Sequence, residues 1–225
     1  MSWNKYFSTS VGKKFQMGFT GLFLIIFLVV HAYVNMQIWW GKEAFDAAAH
    51  FMGTNVVIRT TEIVLFAALL LHIIQGLSLW TKQRSRRNTR YALGAGKQSS
   101  PWYRRSMGIL GTLILLFLII HLKNFWVPNR YSQTFHGHEL DMFSDMKEHF
   151  SNIWMVLLYV GGCFSLSWHL VHGFYSAFQT MGLATHRYKK MINGIGIAFS
   201  IIVPLLFAMM PVYFYLVSID YIELI

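Results

Sequence analysis

Five long apolar stretches limit the folds that are open to this sequence. They cover residues 17–40, 56–80, 107–126, 153–181 and 192–218. Each supplies the roughly 20 apolar residues that a helix needs to cross a hydrocarbon core of about 30 Å. Only 12% of the residues are charged, about half the ~25% of ordinary globular proteins. We predict an all-α membrane protein in which residues 1–225 form one integral membrane domain with five transmembrane helices.

Basic side chains lie in segments that alternate with acidic ones along the chain. Residues 1–14, 81–106 and 183–190 hold 14 of the 19 Lys and Arg, whereas all nine Asp and Glu lie in or near the remaining segments. The positive-inside rule therefore predicts a cytoplasmic N-terminus and a C-terminus on the outside. Bases beside membrane spans also explain the net charge of +10 through orientation and contact with lipid headgroups. We expect membrane lipid, and no nucleic acid, among the partners.

Four of the apolar stretches each contain one histidine far from either end: His31, His72, His121 and His169. Ionisable residues are costly in lipid and usually mark a functional site. His31 and His121 lie 14 residues from the predicted inner ends of their spans, and His72 and His169 lie 16 residues from the outer ends. At 1.5 Å per residue, the two pairs occupy levels ~15 Å apart. Two histidines at each of two levels predict the axial ligands of two stacked haems.

Other interpretations of these histidines are open. A single membrane histidine often serves as a hydrogen-bonding residue between helices, and zinc also binds histidine. No carboxylate or thiolate lies beside these four in the sequence, however. The one cysteine, Cys163, excludes a cysteine-rich iron–sulfur site and covalent haem attachment, so any haem would be held non-covalently, by histidine or methionine. His172, one turn from His169, is either the ligand in its place or a contact for a haem propionate. Arg104 and Arg105 are further candidates for the propionates, as are Lys13 and Lys14.

The motifs around the four histidines resemble those of a known family. They are His31-Ala-Tyr-Val-Asn35, Leu71-His-Ile-Ile-Gln-Gly76, the run from Gly108 to His121, and His169-x-x-x-Gly173 with the residues that follow to Gly182. This ordered set is similar to the five-helix, dihaem cytochrome b subunit, of the b558 type, of succinate:quinone oxidoreductases, which include succinate dehydrogenase and fumarate reductase. The histidine-to-glycine spacing in the fourth motif favours His169 over His172.

The resemblance implies a fold, cofactors and partners. His72 and His169 would bind the proximal haem near the cytoplasm, and His31 and His121 the distal haem. An iron–sulfur subunit and a flavoprotein with FAD would bind the cytoplasmic face. The chain would then anchor that complex in the bacterial inner membrane and pass electrons to or from a quinone, often menaquinone. Some fumarate-reducing relatives have a glutamate two residues before the fourth-helix ligand, where this chain has Ser167.

Two other functions compete with this interpretation. One is the cytochrome b subunit of another quinone-linked enzyme, such as a hydrogenase or a formate dehydrogenase. The other is a haem-free transporter that uses its histidines as a proton relay. The identity of the co-purifying subunits distinguishes the first alternative from a succinate:quinone oxidoreductase. A reduced-minus-oxidised spectrum distinguishes the second, because a haem-free transporter shows no b-type bands.

A quinone site also requires a group that exchanges protons as electrons move. Acidic residues occur only toward the predicted outer side, so we predict the site near the distal haem, at the first outer loop and the start of the second span. The candidates are Asp46, His50 and Glu62. Glu62 is favoured because it lies six residues into its span, ~9 Å below the outer boundary, where a carboxylate is costly without a role.

Overall fold

The computed structural model describes residues 9–86 and 106–224. Helices account for most of these residues, and no strand occurs within the two ranges. The helices are α1 (Ser10–Met36), α2 (Lys42–Thr54), α3 (Val56–Arg86), α4 (Met107–His121), α5 (Val127–Phe135), α6 (Met142–His149), α7 (Ile153–Thr180) and α8 (Lys189–Ser218).

The prediction of five membrane spans is confirmed. In the described part of the chain, five helical stretches are long and apolar enough to cross a membrane: Val11–Trp40, Val56–Lys82, Met107–Phe135, Ile153–Thr180 and Lys189–Ser218. Several helices extend beyond the apolar runs that predicted them, because a helix continues into polar residues at the membrane surface. α1 begins at Ser10 rather than at residue 17, and the third span continues to Phe135 rather than residue 126.

α7 is at the centre of the bundle. It packs against α1, α4 and α8, and α1 packs in turn against α3. Three of the other four spans therefore contact the helix that contains His169. We call the end of the bundle where α1 begins the basic end, and the end where α1 finishes the acidic end.

Two short helices at the acidic end were not predicted. α2 follows Gly41, whose positive φ of 95° turns the chain out of the 3-10 turn Gln37–Trp40. Asp141 immediately precedes α6 and caps it by accepting a hydrogen bond from the backbone nitrogen of Ser144. Their apolar faces meet the ends of the spans in one buried cluster, which includes Ile38, Phe143 and Phe214. Helices α2 and α6 together form what we call the cap.

The fifth span is helical through two prolines, as membrane helices permit when other groups satisfy the backbone. Pro204 has no N–H to donate to the carbonyl of Ser200 one turn earlier. The hydroxyl of Ser167 on α7 donates to that carbonyl at 2.7 Å. Ser167 thus compensates for the missing hydrogen bond and joins α7 to α8.

Candidate functional site

The four deep histidines lie in two pairs. The rings of His72 and His169 have centroids 6.3 Å apart, and those of His31 and His121 are 5.9 Å apart. Both pairs meet at steep angles, with ring planes inclined by 65° and 88°. The structure therefore brings together the same partners that the sequence grouped by depth.

Residue spacings along two helices give the distance between the two pairs. On α1, Thr20 contacts His72, and His31 lies eleven residues further on. On α4, Gly111 faces His169 and precedes His121 by ten residues. At 1.5 Å per residue, the two spacings correspond to about 15–17 Å. The pairs thus occupy two separate levels, His72 and His169 toward the basic end and the other two toward the acidic end.

A hydroxyl on α1 fixes the tautomer of His72. Oγ1 of Thr20 lies 2.8 Å from the backbone carbonyl of Gln16 and 3.1 Å from Nδ1 of His72. The single hydroxyl proton goes to the carbonyl, so the oxygen accepts the Nδ1–H of the imidazole. The other nitrogen of His72, Nε2, is then unprotonated, which is the form that binds a metal.

The histidines opposite have buried ring nitrogens. Nδ1 of His121 and Nδ1 of His169 are buried and have no hydrogen-bond partner among residues 9–86 and 106–224. An unpaired buried polar atom costs about 1–3 kcal/mol. A histidine that only packs between helices and one that binds iron through Nε2 would both be expected to donate this N–H, so the unpaired Nδ1 atoms do not distinguish the two roles.

The geometry at both levels fits haem. Two imidazoles that share one iron through bonds of about 2 Å place their ring centroids roughly 6 Å apart, close to both observed separations. Glycines also leave space beside the rings of the pair at the basic end. An added Cβ at Gly21 would lie 3.6 Å from Cε1 of His72, and one at Gly111 would lie 3.9 Å from Cε1 of His169. In the described residues, no group of three or more His, Cys, Asp or Glu is close enough to hold a metal ion, whereas each pair offers the two nitrogens of a bis-histidine haem.

Aromatic side chains surround the pair at the acidic end. Phe27 and Phe207 pack on His31 with centroids 5.3 and 5.2 Å away. Phe117 stacks on His121 at 5.7 Å, and Tyr159 lies 6.0 Å from the same ring. This apolar shell excludes water and holds both imidazoles in place.

A π-helical turn, Leu122–Trp126, follows His121 directly. Such turns occur frequently at functional sites. This one ends with Trp126, whose indole N–H donates to Glu62 at 2.6 Å, and it contains Asn124, which donates to the hydroxyl of Tyr159 at 3.4 Å. The turn therefore joins the His121 level to polar groups at the acidic end.

The predicted propionate contacts lie only partly within the described residues. His172 is half-buried on α7, one turn closer to the basic end than His169. Lys13 is also at that end, where its ammonium donates to the hydroxyl of Ser78 at 3.4 Å. Arg104 and Arg105 lie outside the residues that the structure describes.

Glu62 has several partners. Its carboxylate forms ion pairs with Arg59 on the same helix and with Arg130 on α5, the second at 3.0 Å. Trp126 is its third partner. These contacts offset the cost of a carboxylate at this depth, so depth alone is no longer an argument for a quinone at Glu62.

Asp46 and His50 line a cleft of about 310 Å³ between the cap and the loop before α6. His50 contacts Glu139 at 2.7 Å. Lys42 bridges Asp46 at 2.8 Å and Asp141 at 2.5 Å. The hydrogen bond from Lys42, with that from the Ser144 backbone, lowers the pKa of Asp141 to about 2. Glu62 does not line this cleft, so the structure separates it from the other two candidates.

Several residues of the site were missed in the sequence. Thr20 is a polar residue in an apolar run, a signal that could have marked it as a histidine partner. Arg130 was missed because it lies 68 residues from Glu62, and only the tertiary fold brings the two together. Trp126 was interpreted only as a residue at the end of a span.

Comparison with known proteins supports one family. The chain is 27% identical over 171 residues to a protein of Bacillus subtilis (strain 168) named succinate dehydrogenase cytochrome b558 subunit, which covers 75% of this chain and 78% of that protein. The predicted resemblance is confirmed. The chain is a multi-pass bacterial membrane protein, with five candidate spans in its described part. No family model and no solved structure matches the chain.

Proposed function

We propose that this chain is the membrane-anchor and electron-transfer subunit of a bacterial succinate dehydrogenase. The observation that carries the proposal is the pairing of four membrane histidines at two levels, in a chain similar to a cytochrome b558 subunit. His72 with His169, and His31 with His121, would each hold one haem b. A haem bound in this way supplies one-electron redox chemistry.

The protein's own residues would orient those groups and control their surroundings. Thr20 fixes the tautomer of His72, and the aromatic shell of Phe27, Phe117 and Phe207 keeps water from the other pair. Two haem levels about 15 Å apart would span much of the ~30 Å core. Electrons would thereby be carried between an iron–sulfur subunit at one membrane surface and a quinone at the other.

We place the soluble partners at the basic end, which the positive-inside rule assigns to the cytoplasm. An iron–sulfur subunit and a flavoprotein with FAD would contact the segment from Leu183 to Lys190 and the segment from Arg84 to Arg90, part of which lies outside the described residues. Crosslinking of the intact complex tests this arrangement. Crosslinks should form at the basic end, and crosslinks confined to the cap would contradict it.

Purification from native membranes tests the proposed complex. A tagged chain should bring with it a flavoprotein and an iron–sulfur subunit that oxidise succinate. Co-purification of hydrogenase or formate dehydrogenase subunits would instead favour the other class of cytochrome b.

The choice of axial ligand at the basic level is tested by two variants of adjacent histidines. His169→Ala should remove one of two haems, because it deletes an axial ligand. His172→Ala, the matched control one turn away, should retain both. The reverse result would assign the ligand role to His172.

We propose that the quinone, menaquinone in many relatives of the dihaem class, binds at the acidic end, with Glu62, Asp46 and His50 as candidate contacts. Glu62→Gln should retain both haems and succinate oxidation with an artificial acceptor, but should lose turnover coupled to quinone. Asp46→Asn and His50→Gln test the cleft in the same assay. If only the cleft variants lose quinone turnover, the site lies at the cleft and not at Glu62.

A further inference from the structure

A continuous row of hydrogen bonds leads from Glu62 to the surface of the acidic end. Nη2 of Arg130 donates to Oε2 of Glu62 at 3.0 Å, and its Nη1 donates to Gln133. The amide nitrogen of Gln133 donates to Glu139 at 3.1 Å, and Glu139 contacts His50 at 2.7 Å. Arg130 therefore joins the Glu62 cluster to the pair formed by Glu139 and His50.

Exposure changes steadily along this row. The side chain of His50 is 68% exposed, and that of Glu139 is 28% exposed. Arg130 and Glu62 are 22% and 19% exposed. The row thus begins at the exposed His50 and ends at the half-buried carboxylate of Glu62, which contacts Trp126 at the end of the π-helical turn.

The planar guanidinium is suited to this position. It offers several N–H groups in a rigid fork, so it can hold two acceptors at fixed angles, which a lysine ammonium on a flexible stem does less well. Here one arm of the fork holds Glu62 and the other holds Gln133. Without that fork, Glu62 would keep its contacts with Arg59 and Trp126 but would lose its connection to α5 and the cleft.

We propose that Arg130 is a positioning residue of the quinone site at the acidic end. It orients the Glu62 carboxylate and connects it to the Glu139–His50 pair at the aqueous surface. The inference rests on the proposed function, in which Glu62 acts on a quinone. Arg130 stays protonated and acts through Glu62, which exchanges the proton. His50 shares its cleft with Asp46 and Lys42 on its own helix and with Glu139 and Asp141 opposite. At 68% exposed, it is the most exposed ionisable member of the row.

A double-mutant cycle in the intact complex tests this role. Arg130→Gln should retain both haems and succinate oxidation with an artificial acceptor, and should lower kcat with quinone about tenfold or more, since small displacements of a reacting group have effects of that size. In the Glu62→Gln background, the same change should cause no further loss of the residual quinone turnover, because Arg130 acts through Glu62. Fully additive losses would overturn the proposal.

Two more variants complete the test. Lys123→Gln removes one positive charge from the neighbouring π-helical turn, outside the row, and should leave quinone turnover unchanged. Arg130→Lys keeps the charge but loses the fork, so turnover should stay lowered; full recovery would show that the charge alone suffices and would overturn the positioning role. If Arg130→Gln does not assemble, Arg130→Lys takes its place in the cycle.

The outcomes separate this inference from the proposed function. If Glu62→Gln keeps parental quinone turnover, the assignment of Glu62 to the quinone site fails. If Glu62→Gln loses that turnover while Arg130→Gln and Arg130→Lys keep it, only the role of Arg130 fails.

Discussion

The hydroxyl oxygen of Thr20 lies 3.1 Å from Nδ1 of His72. Because the hydroxyl proton is directed to the carbonyl of Gln16, the imidazole donates its Nδ1–H, and its Nε2 is left unprotonated. One threonine on α1 thus determines which nitrogen of a histidine on α3 is available. Partners of this kind tune a bound metal as well as orienting its ligand.

Thr20→Val should remove this hydrogen bond while keeping the shape of the side chain. The imidazole then becomes a weaker donor to iron, so the reduction potential of the haem at the basic level should rise, and its affinity should fall by about 10–100-fold. Redox titration of the purified complex measures both haems separately. Thr112→Val is the matched control, because that hydroxyl donates to Gly108 within its own helix and should affect neither potential.

Two adjacent glycines on α7 provide a test of the acidic level. A Cβ at Gly162 would lie 2.5 Å from Cδ2 of Phe117, whereas a Cβ at Gly161 would meet nothing within 4 Å. Since Phe117 stacks on His121, Gly162→Ala should displace the imidazole and cost about 1–3 kcal/mol through overpacking. We expect an altered spectrum for one haem and a lower thermal stability. Gly161→Ala should change neither property, and equal effects of both variants would contradict this account of the packing.

Ser167 tests the connection between the fourth and fifth spans. Ser167→Ala leaves the carbonyl of Ser200 without the donor that compensates for Pro204, at a cost of about 1–3 kcal/mol. The midpoint of thermal unfolding in detergent should fall. Ser165→Ala is a suitable control, since the Ser165 hydroxyl donates only to the carbonyl of Gly161 on its own helix. A loss of stability confined to Ser165→Ala would contradict the role assigned to Ser167.

The Lys42–Asp141 ion pair makes the stability of the cap depend on pH. The pKa of Asp141 is lowered from 3.8 to about 2, first by the hydrogen bond from Lys42. A carboxylate whose pKa is lowered on folding stabilises the folded state at pH values above its ordinary pKa, and this contribution disappears as pH falls from about 4 toward 2.

Asp141→Asn, which retains a side-chain cap for α6, should therefore cost stability at pH 7 but progressively less below pH 4. Because the side chain is 47% exposed, the loss should be only about 0.2–1 kcal/mol. A difference between parent and variant that stays constant from pH 7 to pH 3 would contradict this assignment.

The spans and the two histidine levels could be predicted because both depend on position along a helix. Depth follows from counting residues at a fixed rise, and apolar length is visible directly. The cap was not predicted, because α2 and α6 are short helices whose burial depends on contacts with residues such as Phe214, far away in the sequence.

The polar groups at the acidic end show the same limit. The sequence suggested Glu62 from its depth, but its partners Arg130 and Trp126 depend on tertiary packing and on the π-helical turn after His121. No pattern of apolar residues predicts that turn. The hydrogen bond of Thr20 to His72 is equally a product of packing between two helices, although a threonine in an apolar run is a visible hint.

The haem content and spin state of the chain, purified in its native complex, decide whether the four membrane histidines are axial ligands of two haems. The account predicts two haems b per polypeptide, both low-spin because each iron has two histidine ligands, and the loss of one haem in each of His31→Ala, His72→Ala, His121→Ala and His169→Ala. A single haem in the parent protein, or a high-spin iron with an open coordination position, would contradict the assignment of the four histidines.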